Sequence, residues 1–200
     1  MMMYEAVVIG ASAGGLNALQ RALSPLPADF TMPLLVVLHR APERDLRMID
    51  LLAAHSRLRI KEAEEKEPVV PGTVYIAPSN YHLLVELDRT LSLSADPKVS
   101  FARPAIDPLF ETAADAYLSR LIGVILSGAN HDGTNGLKRV KKHGGLTIAQ
   151  DPLTAEAPLM PTSAIQANVV DKVLPLEEIA QYLICLAGDA GCWMLDKEPF

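Results

Sequence analysis

The sequence predicts an α/β protein: a doubly wound, mostly parallel sheet with helices on both faces and an antiparallel hairpin excursion. Two observations carry that expectation. The runs Ala6–Ile9, Pro33–Leu38 and Leu121–Leu126 are continuously apolar, too short for helices and rich in branched residues, the mark of strands buried on both faces. Hydrophobic residues make up 50% of the chain but aromatics only 5%, a balance of Ala, Leu, Val and Ile that suits parallel strands flanked by helices. The chain's 200 residues suffice for one well-buried core, and no serine- or glycine-rich stretch divides them. A single domain over residues 1–200 is therefore expected.

The first strand stops at Gly10, after which Leu16, Leu19 and Leu23 fall on one face of a helix that Ser24-Pro25-Leu26-Pro27 ends. Pro33–Leu38 is the second strand, with His39 at its C-terminal end. Pro42 to His55 reads as the next helix, with Glu43 and Asp45 favourable in its first turn and Leu46, Ile49, Leu52 and Ala53 facing inward. Leu58–Ala63 has the composition of a short strand, and Glu64–Glu67 that of a solvated surface. Gly72–Pro78, Tyr81–Leu87 and Thr90–Leu93 alternate apolar and polar residues between turn signals, which predicts an antiparallel excursion. After a loop from Asp96 to Pro104, helical spacing resumes at Ile106–Tyr117, with Pro108 tolerated in the first turn. Leu121–Leu126 is the third apolar run and leads through Ser127–Asp132 into a helix reaching Lys142 or His143. Leu146–Gln150 follows a glycine C-cap as another strand, and a helix from Pro175 to Leu186 closes the core.

The formal net charge of -6 argues against nucleic acid or an anionic membrane as the main partner, since both select basic patches. Met1–Tyr4 is no basic leader and Val7–Ile9 is too short to span a membrane, so a cytoplasmic protein is expected. Cys185 and Cys192 sit in no C-x-x-C motif, and they read as buried or incidental thiols rather than a redox or metal pair. No two histidines have i, i+4 or H-x-H spacing, so neither a metal nor another cofactor is expected.

The stretch most loaded with chemistry is Gly10-Ala11-Ser12-Ala13-Gly14. It has the G-x-S-x-G form of a nucleophile elbow, a tight strand-to-helix turn that lifts a serine hydroxyl above the sheet. A phosphate cradle and plain strand-helix packing are the rival readings, although GASAGG lacks the G-x-G-x-x-G spacing and no Walker-type lysine follows it. A serine needs a general base and a carboxylate to orient that base. In open α/β sheets the ligand edge is the carboxyl end of the strands, and Ser12, His39 and Asp132 all fall there. Their order, Ser then His then Asp, is not that of the α/β-hydrolases. His131 is a rival base because it adjoins Asp132; His55 and His82 read as surface residues, and His143 as a favourable charge at a helix C-terminus.

Taken together, VVIGASAGG around Ser12, VVLHRAP around His39, PGTVYIAP from Pro71, ARPAIDPLF from Ala102, ILSGANHDGTNGL around Asp132, and GGLTIAQDP with MPTSAI resemble the catalytic domain of the CheB family. These are the protein-glutamate methylesterases of bacterial chemotaxis. The resemblance covers most of the chain and implies hydrolysis of glutamyl methyl esters on receptor helices to glutamate and methanol. Glutamine deamidation is a related reaction through the same acyl-enzyme. It implies Ser12 as nucleophile, His39 as base, Asp132 as the residue that orients it, and the backbone N–H groups of Ala13 and Ala129 as the oxyanion hole, about 3 kcal/mol per donor. The family usually has Met-Gly where this chain has Ala129-Asn130, and commonly a basic residue where it has Thr162. Most members also carry a receiver domain, so a stand-alone enzyme controlled by a separate regulatory or receiver protein is expected, with a methylated chemoreceptor or receptor-like protein as substrate. The contrasting expectation is a CheB-like binding or signalling module without turnover, and a nucleotide-binding role is the third.

Overall fold

The computed structural model describes residues 4–39 and 45–188. In chain order its elements are β1 (Ala6–Ala11), α1 (Gly15–Leu23), β2 (Leu34–Leu38), α2 (Asp45–Ala54), β3 (Arg59–Glu62), β4 (Thr73–Ile76), β5 (His82–Val85), β6 (Leu91–Ser94), α3 (Ile106–Tyr117), β7 (Leu121–Ile125), α4 (Thr134–Lys142), β8 (Leu146–Gln150), α5 (Leu159–Gln166), β9 (Lys172–Leu174) and α6 (Leu176–Ala187). Seven strands form one sheet in the order β3-β4-β2-β1-β7-β8-β9, and every pairing in it is parallel.

Successive side chains of a strand point to opposite faces, and the burial records this directly. Val7 and Ile9 of β1 enter one core with Leu19 and Leu23 of α1, Leu52 of α2, and Ile179 and Leu183 of α6. Ala6 and Val8 enter the other with Leu109 and Phe110 of α3, Leu137 of α4, Met160 of α5 and Leu83 of the hairpin. The sheet is thus covered on both faces, which is why β1, β2 and β7 read as unbroken apolar runs.

Two expectations of detail change. β4 was expected in an antiparallel excursion, but it pairs in parallel with β2 and β3, leaving β5 and β6 alone as the antiparallel hairpin. Alternation misled here because Thr73, Val74, Tyr75 and Ile76 are all buried, and the hydroxyl of Tyr75 finds Pro68 O and Val70 N–H at 3.1 Å each. On α2, Met48 and Leu52 are buried whereas Ala53 is exposed; Pro42 and Glu43 lie outside the described residues.

The topology fixes where a ligand can sit. From β1 the chain moves outward through β2 to β3 and β4, then returns to β7 on the opposite side of β1. The loops after β1 and β7 diverge at that switch point, at the carboxyl edge.

Candidate active site

Register brings the first two candidates together. Ala11 pairs with Leu38, so the next residues along, Ser12 and His39, stand side by side, and the His39 N–H reaches Ala11 O at 3.0 Å. On the other flank, Leu126 N–H reaches Gly10 O and Ser12 N–H reaches Ser127 O, each at 2.9 Å. Ladder hydrogen bonding therefore continues past the end of β1 and holds both neighbouring loops against the serine.

Asp132 is 1% exposed, so its carboxylate must be satisfied by the protein. Oδ2 accepts from Ile106 N–H at 2.7 Å and pairs with His39 Nε2 at 2.8 Å; Oδ1 accepts from Asp107 N–H at 3.1 Å and from its neighbour Gly133 N–H at 3.0 Å. The first two amides of α3 thus bind the carboxylate, an anion at the positive end of a helix. Because a carboxylate only accepts, the proton of the His39–Asp132 bond is on Nε2 and the unprotonated nitrogen of the neutral ring is Nδ1. Nδ1 faces Asn130 Nδ2 at 3.1 Å, while Asn130 Oδ1 accepts from Asp132 N–H at 3.1 Å. Among the described residues, Ser12 Oγ makes no hydrogen bond to the ring, but Ser12, His39 and Asn130 line one cleft of about 340 Å³ with Asn80, Lys98 and Phe101. Phe101 is 98% exposed at the rim.

The elbow's two glycines have different reasons. Gly14 has φ +71°, and a Cβ there would lie 2.6 Å from Glu156 Cβ; it is the turn glycine that starts α1. Gly10 is ordinary strand, and a Cβ there would lie 2.5 Å from Ile106 Cγ2. Its role is to let the start of α3 press onto β1, which sets the amides that hold Asp132.

Ser127 joins the elbow to the loop before α5. Its Oγ donates to Ala13 O at 2.8 Å and accepts from Ala157 N–H at 2.9 Å, and its own N–H reaches Gln150 Oε1 at 2.9 Å. The Ala13 and Ala129 amides have no hydrogen-bond partner among the described residues. Ala129, however, lines a neighbouring apolar hollow with Ala157, Pro158, Leu159 and Thr162, and not the cleft that holds Ser12.

Behind the site, Asp107 accepts from Gly136 N–H at 2.8 Å and from Asn135 Nδ2 at 3.2 Å, tying α3 to α4. Burial pushes its carboxyl above the usual range, and the charge of Asp132 adds to the rise. The remaining histidines stand apart from Ser12. His131 is exposed and bonds Ser163 Oγ at 2.7 Å, so it turns from Asp132 toward α5. His143 ends α4 against Asp115 at 3.0 Å, and His55 is exposed beyond the end of α2. His82 was expected at the surface, yet it is 2% exposed: Nδ1 accepts from Ala105 N–H at 3.2 Å and Nε2 reaches Pro97 O at 3.1 Å. It braces the loop before α3, a task that hairpin periodicity does not signal. Cys185 is disulfide-bonded rather than an incidental thiol, and Cys192 lies outside the described residues. Among the described residues no three His, Cys, Asp or Glu side chains converge as a metal site requires.

Sequence reasoning did not anticipate the amides of Ile106 and Asp107, Ser127, or the contact of Asn130 with the imidazole. Their partners lie 23 to 114 residues away in sequence, beyond the reach of local periodicity.

Comparison with known proteins places this geometry among relatives. A Leptospira interrogans protein is 54% identical over 92% of this chain and 96% of its own length. A Caulobacter vibrioides protein-glutamate methylesterase/protein-glutamine glutaminase is 39% identical over 90% of this chain and 53% of its own length, so this chain spans about half of that relative. The crystal structure of the Thermotoga maritima CheB methylesterase catalytic domain superposes with a TM-score of 0.88 at 39% identity, covering 92% of this chain and 98% of that one. The CheB methylesterase family itself matches from residue 7 to residue 183, and with the sheet, the topology and the sequence in agreement, the chain belongs to that family.

Proposed function

We propose that this protein is a cytoplasmic serine esterase that hydrolyses glutamyl methyl esters on a methylated chemoreceptor or receptor-like protein, and by the same route the side-chain amide of glutamine. Residues 1–200 act as one catalytic domain. The observation that carries the reading is the His39 Nε2 to Asp132 Oδ2 bond of 2.8 Å, made at the edge of the cleft that Ser12 lines.

The steps follow from which nitrogen is protonated. His39 Nδ1 takes the Ser12 hydroxyl proton as Oγ bonds the ester carbonyl carbon, and the carbonyl π electrons move onto oxygen. The Ala13 amide, which has no partner among the described residues, is the donor for that oxyanion, joined by Ala129 if its loop turns toward the cleft. Collapse breaks the carbon–methoxy bond, and Nδ1–H delivers its proton to the departing oxygen, giving methanol and a glutamyl-serine ester. A water then attacks, Nδ1 takes its proton, and Ser12 leaves with it, regenerating enzyme and a free glutamate. A glutamine substrate differs only in releasing ammonia. Throughout, Asp132 holds Nε2–H and balances the positive ring that forms between proton transfers.

The test is methanol release from a methylated receptor fragment by this protein and by Ser12→Ala at equal concentration. Release that disappears in the variant supports the reading. If both are silent while a reactive small ester still acylates Ser12, the substrate assignment fails; silence in both assays supports a binding module instead.

A further inference from the structure

The nitrogen that must act as base is already engaged. His39 Nδ1 faces the Asn130 amide at 3.1 Å, and that amide is itself oriented, because its Oδ1 accepts the Asp132 N–H at 3.1 Å. The two ends of an asparagine side chain are chemically distinct: Oδ1 only accepts and Nδ2 only donates. With Oδ1 committed to a backbone donor, Nδ2 presents N–H to Nδ1, and a ring nitrogen that accepts is one without a proton. The same ring gives Nε2–H to Asp132 at 2.8 Å. The imidazole is held at both nitrogens by two residues of one loop, and the two contacts demand the same tautomer. One hydrogen bond leaves a ring free to pivot; two, at different edges, fix its plane.

We infer that Asn130 is a positioning residue for the reaction: it holds His39 with the Nδ1 lone pair toward the Ser12 cleft and yields that lone pair to the Ser12 hydroxyl when substrate enters. The inference rests on the esterase reading. An imidazole nitrogen has a single in-plane lone pair, so amide and hydroxyl take turns on it. Once Nδ1 has gained the serine proton it is a donor and no longer accepts from Nδ2. When the proton passes to methanol, the amide contact re-forms and resets the tautomer for the attack of water. Asn130 is half-buried and lines the cleft, so the exchange takes place within the space the substrate occupies.

Asn130→Asp is the discriminating variant, since it keeps an oxygen for the Asp132 N–H but turns an acceptor toward Nδ1. Asn130→Ala removes both contacts. Nitrogen-15 NMR of His39 at neutral pH is expected to show Nδ1 unprotonated in the parent and protonated in Asn130→Asp, where two carboxylates flank the ring. Pre-steady-state acylation by a small activated ester is expected to slow about tenfold in Asn130→Ala with KM little changed, and by about a hundredfold or more in Asn130→Asp. If Asn130 only fastens the loop, Asn130→Asp matches the parent in spectrum and rate, and the inference is overturned. Faster acylation in Asn130→Ala also overturns it, because the amide then restrains the base. A parent protein that forms no Ser12 adduct and releases no methanol removes the esterase reading and this inference together. An active parent whose rate ignores Asn130 removes the inference alone.

Discussion

Gly10→Ala tests whether the fit of α3 on β1 governs the site. The added methyl would lie 2.5 Å from Ile106 Cγ2, 2.9 Å from Ile106 Cδ1 and 3.0 Å from Ile125 Cδ1. Comfortable carbon contacts begin at about 3.5 Å, so the worst clash requires a shift of about 1 Å. Cγ2 is one bond from Cβ, and a β-branched residue in a helix has essentially one χ1 well, so the shift falls on the backbone at the start of α3. That backbone carries the Ile106 N–H, bonded to Asp132 Oδ2 at 2.7 Å. Overpacking of this kind costs about 1–3 kcal/mol, or roughly 2–12 °C in Tm for a protein of this size. Displacing the base's orienting carboxylate by about 1 Å costs on the order of a hundredfold in rate. Urea unfolding and the acylation burst measure the two effects on one sample. Ile106→Ala alone should cost about 2–5 kcal/mol, yet combined with Gly10→Ala it should recover stability against the sum of the singles, a coupling of about 1–3 kcal/mol. A Gly10→Ala protein as stable and as fast as its parent, or additive costs in the pair, would refute the reasoning.

Three further outcomes are expected. Ser127→Ala leaves Ala157 N–H and Ala13 O without their hydroxyl partner, so stability should fall by about 1–3 kcal/mol and acylation should slow; an unchanged burst would separate the hydroxyl from the elbow. Asp107→Asn addresses a carboxyl whose folded pKa is raised, chiefly by burial, above the unfolded reference near 3.9. The parent therefore loses stability as pH rises from that reference through the folded value. The variant does not titrate there, so the stability of Asp107→Asn relative to the parent should grow across that window, and a relative stability that shrinks with pH contradicts the assignment. Phe101→Ala changes a side chain with almost no contacts, so unfolding should move by no more than about 0.5 kcal/mol. If the cleft rim receives the receptor segment, KM for methylated protein should rise while turnover of a small ester stays the same; equal effects on both substrates would argue against rim docking.

What the sequence made legible was what parallel strands impose by themselves. Three apolar runs ending at Ile9, Leu38 and Leu126 place the polar residues that follow them on one edge, whatever lies between them. The family motifs added the identity of the sheet, and the structure adds that β1 lies between β2 and β7, so those ends are adjacent. Residues whose roles depend on a single distant atom stayed hidden. Gly10 looks like a turn glycine until Ile106 is seen against it, and His82 looks like a hairpin surface residue until Ala105 and Pro97 close over it. Asn130 reads as a loop residue because nothing local announces that its amide meets an imidazole 91 positions earlier. The place of β4 is hidden for a related reason: burial on both faces, rather than alternation, decides which sheet a short strand joins.

Helix α3 starts after Ala105, whose methyl group cannot cap it. Its first amides are closed instead by Asp132, 26 positions downstream and on the far side of β7. The opening turn of the helix therefore waits for a later part of the chain, and its body can form before its beginning is secured. In native-state hydrogen exchange, the amides of Ile106 and Asp107 should open with the 127–133 loop rather than with the rest of α3. A fluctuation that frees that loop would unlatch the helix start and the base together, so the least protected stretch of the helix and the most demanding contact of the site share one fate.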